Sequence, residues 1–244
     1  MTSRTLFAAA AAVLTFVAAQ PATTQDKQAR PEDQVDRSVK PLEEFHTVIY
    51  KIWHTAWPDK DVRMLAGLLP EVQQLGDSLV NAKLPGIYRE KQKAWTEQMT
   101  LFQTTLKEYA AATSPLDSVK LLDAAERLHS QYEKLVRTLR PAVKELDEFH
   151  VSLYMLYHYY LPEDKVDKIR MSASELKEKM KPLNAATLPA RLKAKEEAFQ
   201  KARAALSVSV DELAQTVNSD DLKVIKEKVE VVHSRYQELE KVFD

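Results

Sequence analysis

Leu42-Glu43-Glu44-Phe45-His46-Thr47-Val48-Ile49-Tyr50-Lys51-Ile52-Trp53-His54-Thr55-Ala56-Trp57-Pro58 is the stretch whose reading decides the fold. Leu42, Phe45, His46, Ile49, Ile52, Trp53 and Ala56 follow the i, i+3, i+4, i+7 spacing of one apolar face of a helix. Pro58 marks the end of that helix, because proline has no N–H to give to the preceding turn. The stretch returns 104 residues later, from Leu146 to Pro162, and both copies keep Leu-x-Glu-Phe-His-x3-Tyr-x3-His-x3-Pro.

The correspondence extends beyond this stretch. Leu84-Pro85 pairs with Leu188-Pro189, Asp117 with Asp221, His129-Ser130 with His233-Ser234, and Trp95 with Phe199, all without a gap. Helical periodicity continues after the first stretch over about 59–82, 87–112 and 118–139. Breaks fall at Leu84-Pro85-Gly86 and at Ser114-Pro115-Leu116-Asp117, where Asp117 is placed to cap the next helix. Four helices with short connections predict an up-down-up-down bundle. The fold class expected is therefore all-α, with two tandem four-helix bundles from an internal duplication, over 39–140 and 141–244. Pro141 fits either the first turn of the next helix or a kink in a helix shared by both bundles.

Composition agrees with this reading. Only 3 of the 244 residues are glycine, which disfavours a sheet protein rich in tight turns, and apolar residues reach 45%, enough for a real core. The net charge of −1 builds no basic face, so nucleic acid is not expected as a partner. With no cysteine, the chain can form no disulfide, thiolate metal site or covalent c-type haem attachment.

Residues 1–19 read as a signal peptide. Arg4 precedes an apolar run from Leu6 to Val17, and Val17-Ala18-Ala19 offers a small-residue cleavage site. That run is shorter than the roughly 20 residues that span a bilayer. Residues 20–38 are polar and aperiodic, as in a disordered tether. The expectation is a periplasmic or secreted protein with no membrane span in its mature chain.

All six histidines fall in equivalent pairs: His46 with His150, His54 with His158, and His129 with His233. At 100° per residue, His46 lies inside the apolar stripe of the first helix and His129 inside that of the fourth. Antiparallel packing would bring them level. Glu126 and Glu230 stand three residues before His129 and His233, the Glu-x-x-His spacing that four-helix metal bundles use. The expected sites are thus His46, Glu126 and His129 in one bundle, and His150, Glu230 and His233 in the other. Imidazole and carboxylate suit Zn, Cu, Ni or Fe. Tyr50, Tyr132, Tyr154 and Tyr236 lie beside these histidines as hydrogen-bonding support. His54 and His158, about 12 Å further along, are candidates for a second, more open site.

Three function classes are consistent with these features. The first is an exported, non-enzymatic metal-binding protein. The second is a structural or interaction module, such as an adaptor or chaperone for another extracytoplasmic protein, whose histidines are core polar pairs. The third is a haem b protein with the haem held between His46 and His129; in architecture alone this resembles cytochrome b562 and cytochrome c′, where helices 1 and 4 supply or surround the haem ligands, and His46 would replace the methionine of the b562 type. No Gly-rich phosphate loop, Ser-His-Asp order or nucleophilic cysteine points to an enzyme.

Overall fold

Phe45 and Phe149, 104 positions apart, are each sealed from solvent, but in separate cores. In the computed structural model, which describes residues 34–140, 142–219 and 221–243, the chain is helical, with no strand among the described residues. The expected signal peptide, the tether as far as residue 33, and Pro141 lie outside the described residues.

The first half runs α1 (Lys40–Lys51), a π turn (Ile52–Ala56), α2 (Val62–Gly67), α3 (Leu69–Val80), a 3-10 turn (Gly86–Lys91), α4 (Gln92–Thr113) and α5 (Ser118–Leu139). The second half runs α6 (Lys144–Met155), a π turn (Leu156–Tyr160), α7 (Val166–Ala185), a 3-10 turn (Ala190–Lys195), α8 (Glu196–Thr216) and α9 (Leu222–Glu240). Asp117 and Asp221 cap α5 and α9 by accepting from the backbone N–H of Lys120 and Val224. Pro70 accounts for the main difference between the halves. It cannot donate to the carbonyl of Ala66, so the helix expected over 59–82 breaks into α2 and α3; Ser174 stands at that position in α7, which is continuous.

The ends of α1 and α6 depart from α-helical geometry. The helices expected to run α-helically to Pro58 and Pro162 widen first. Trp57 N–H reaches the Ile52 carbonyl at 2.8 Å and Asp61 reaches Ala56 at 2.9 Å, both five residues apart. Leu161 to Leu156 (2.9 Å) and Lys165 to Tyr160 (3.0 Å) repeat the pattern. A proline after the turn removes the α-helical donor for the carbonyls of His54 and His158 and crowds them, and a wider turn relieves that conflict. Each turn ends on a left-handed residue at the same place, Lys60 with φ 51° and Asp164 with φ 52°.

Each core is filled mainly from its own half, although Tyr154 joins the first core and Val151, Met155 and Tyr159 pack against it. In the first, Phe45 meets Phe102 edge to face at 5.1 Å, and the Tyr109 hydroxyl donates to the Leu65 carbonyl at 2.7 Å. Burying a side chain such as Phe45 contributes about 1.5–3 kcal/mol. Beside this apolar contact at Tyr154, the joint between the halves carries ion pairs. Arg37 bonds Asp147 (2.5 Å) and Glu148 (3.2 Å), and Lys91 bonds Glu240 at 2.8 Å. Arg37 falls within the segment expected to be a tether, and here it clasps the second half. Among the described residues, no helix is long and apolar enough to cross a membrane.

Candidate metal centre at the joint of the two halves

The Leu84-Pro85-Gly86 break turns the chain onto the second half. At Gly86 a Cβ would lie 2.0 Å from Gln34 Oε1 and 2.6 Å from the Tyr154 hydroxyl, so a glycine is what allows this approach. The adjoining 3-10 turn lays Arg89, Glu90 and Lys91 over α6, its π turn and α9.

Glu90 is the centre of the contact. Its Oε1 accepts from His233 Nε2 at 2.8 Å and lies 3.7 Å from His158 Nε2, while Oε2 accepts from Gln237 Nε2 at 3.1 Å. Hydrogen bonds from His158 and His233 hold its carboxyl well below the usual carboxylate range. Ligand atoms of Glu90, His158 and His233 all lie within 4.8 Å of one another. Their side chains are 26%, 15% and 11% exposed, so the group is sheltered but reachable. Arg89 backs it: Nη2 donates to the Tyr154 hydroxyl at 2.5 Å, Nη1 lies 3.4 Å from His158 Nδ1, and the guanidinium sits 5.0 Å from the Tyr154 ring centre.

The fold does not assemble the two ligand sets expected from sequence. Among the described residues, neither His46–Glu126–His129 nor His150–Glu230–His233 forms such a group. Each π turn instead lays an aromatic ring on the histidine of the facing helix. Trp53 lies flat on His129 with centroids 4.0 Å apart and planes 4° apart, and Tyr157 lies flat on His233 at 3.7 Å and 4°. Glu126 and Glu230 are left facing solvent, where Glu230 accepts from the Tyr157 hydroxyl at 2.9 Å.

His46 is exposed and rests against Tyr132 at 6.1 Å. Its counterpart His150 is only 6% exposed, stacked on Tyr236 at 4.7 Å, and burial pushes its pKa down to about 4. Burial also lowers His129, whose Nε2 stands 3.9 Å from Glu133. The hydroxyl of Tyr132 donates to the Leu42 carbonyl and that of Tyr236 to Glu240, so both tyrosines serve the packing of their own halves. His54 lies beside Tyr50, and His158 beside Tyr154, each at 4.7 Å. His158, expected at a separate site, instead approaches His233, with ring centres 6.1 Å apart.

Glu90 escaped the sequence reading because Ala194 stands 104 residues on, so it is not among the residues both halves retain. The one signal in the sequence was its place just after the Pro85-Gly86 break, where a chain can leave its own half. No family model, no curated protein and no solved structure matches the chain.

Proposed function

We propose that the protein binds a divalent transition-metal ion at the joint, with His158 Nε2, His233 Nε2 and Glu90 Oε1 as ligands. The observation that carries this reading is the convergence of one ligand atom from each of these three residues within 4.8 Å. Two imidazoles and a carboxylate form a set suited to Zn, Cu, Ni or Fe, and three protein ligands leave a position for water or a further donor. The Tyr157 ring stacked on His233 supports the orientation of that imidazole. The role is one of binding rather than catalysis. It is set in two tandem four-helix bundles that arose by duplication, in a protein exported through residues 1–19.

Elemental analysis and calorimetric titration of untagged protein with Zn, Cu and Ni test the proposal. One equivalent per chain is expected, and His158→Ala or His233→Ala abolishes it. No uptake, together with a melting temperature unmoved by any of the three ions, overturns it.

A second reading has its own observation. Arg89 Nη1 faces His158 Nδ1, which places the proton of a neutral His158 on Nε2, directed at Glu90. Glu90 would then be a polar rivet between the halves of an interaction module, needing no ion. Metal-free protein that loses stability on Glu90→Ala yet takes up no metal selects this reading.

A further inference from the structure

Between the two halves lies a cleft of about 780 Å³, within the size of small-molecule sites (about 300–1,000 Å³). Equivalent parts of each half line it: the last turns of α5 and the end of α9, with Lys91 from one 3-10 turn and Arg191 from the other. Its charge is unlike that of the chain. The whole sequence carries a net charge of −1, yet Lys91, Lys134, Arg137, Arg140, Arg191 and Lys241 line the cleft beside only two carboxylates, Glu90 and Glu240. Both carboxylates are already engaged, Glu90 with His233 and Gln237, and Glu240 with Lys91 and the Tyr236 hydroxyl. Arg137 pairs with Glu133 at 2.5 Å, and Arg140 stands 4.0 Å from Glu43. Lys134, Arg191 and Lys241 are exposed and enter no ion pair among the described residues. A helix C-terminus holds about half a negative charge, so the ends of α5 and α9 together offset about one of these three cations. Arg137 and Lys241, 104 positions apart, keep a cation at the same place of both halves. Only Arg137 has a carboxylate beside it, so an ion pair within the half is not what the two have in common.

We propose that this cleft binds a small organic polyanion, a molecule with clustered phosphate or carboxylate groups on a carbon frame. The guanidinium of an arginine presents paired N–H donors that match two oxygens of either group, and the lysine ammonium adds a compact charge on a flexible stem. Several cations in one cleft favour several charges on one ligand over a single monovalent ion. The lining is not polar throughout. Val136, Leu192 and Phe243, each half-buried, border the same space and suit the carbon part of the ligand. Glu90 is the one residue that the cleft shares with the candidate metal centre, and none of the six cations is a ligand there. The anion site therefore stands whether or not the joint holds a metal.

Calorimetric titration of the full chain, metal-free and at low ionic strength, with ATP and with citrate tests this. One equivalent of at least one of them is expected to bind, and more weakly as salt is added. ATP bound more tightly than citrate assigns phosphate as the recognised group, and the reverse order assigns carboxylate. Arg191→Glu and Lys241→Glu each weaken binding by roughly tenfold or more. Lys107→Glu and Lys168→Glu change the net charge by the same amount at exposed positions outside the cleft, and they shift affinity by less than about twofold. All four positions are exposed, and circular dichroism verifies that each variant is folded. Uptake of neither anion overturns the proposal. So does affinity that Arg191→Glu and Lys241→Glu leave unchanged, or that the two reversals outside the cleft weaken as much.

Discussion

His233 Nε2 and Glu90 Oε1 meet at 2.8 Å across 143 positions of chain, and this contact fastens one half of the molecule to the other. Removing the carboxylate leaves two largely buried imidazoles and the Gln237 amide without their acceptor. Glu90→Ala is expected to lower the unfolding free energy by about 1–3 kcal/mol, and Glu90→Gln by less, because the amide oxygen still accepts. Urea denaturation of the metal-free protein at neutral pH measures both.

The same region sets a pH dependence. Burial pushes His150 from 6.5 down to about 4, so the folded chain keeps it neutral while the unfolded chain takes up a proton. Glu90 is depressed from 4.5, so there too the unfolded chain binds the extra proton. In both cases stability rises with pH. Stability is expected to fall as pH drops from 6.5 toward 4 through His150, by on the order of 3 kcal/mol, and to fall further below 4.5 through Glu90. Urea midpoints at pH 7 and pH 5 check the sign, and His150→Phe flattens the first interval.

Metal uptake separates the residues that converge from those merely repeated. His46→Ala, His150→Ala, Glu126→Gln and Glu230→Gln are expected to retain binding at the joint, whereas His158→Ala, His233→Ala and Glu90→Ala lose it. An ion at a hundredfold excess over its dissociation constant adds about 2.7 kcal/mol to wild-type stability. A melting-temperature rise absent from the last three variants is the readout.

Gly86→Ala places a methyl against Gln34 and against a Tyr154 hydroxyl held by Arg89. A loss of about 1 kcal/mol is expected, with faster amide exchange in the Gly86–Lys91 turn. Ala190→Gly, at the equivalent position of the uncovered turn, should leave exchange in Gly86–Lys91 unchanged.

Much of the helical layout was legible because apolar periodicity and break residues act locally. Asp117 caps α5 as its place in the break predicted, its counterpart Asp221 caps α9, and α5 spans the residues expected of it. The candidate site was less legible, for two physical reasons. First, an ideal 100° per residue put His54 and His158 on another face, and nothing in the apolar pattern of Ile52–Ala56 announces the wider turn that brings His158 to His233. Second, retention between the halves is a good filter for residues serving each half alone. It discards a residue such as Glu90, which one half contributes to the other and whose counterpart is the exposed Ala194. His150 and His46 show the complementary limit: identical in sequence, one is buried and one exposed because only one half's face is covered.

The π turns carry one more consequence. Ile52-Trp53-His54-Thr55-Ala56 and Leu156-Tyr157-His158-Tyr159-Tyr160 share only their histidine, yet both widen to the same hydrogen-bond pattern before the same proline. The direction in which that imidazole points is therefore written in residue count rather than residue identity. Replacing neighbours one at a time would leave it aimed where it is; deleting a single residue would tighten the turn, swing the ring by about 100°, and change what the helix end addresses while leaving its composition almost untouched.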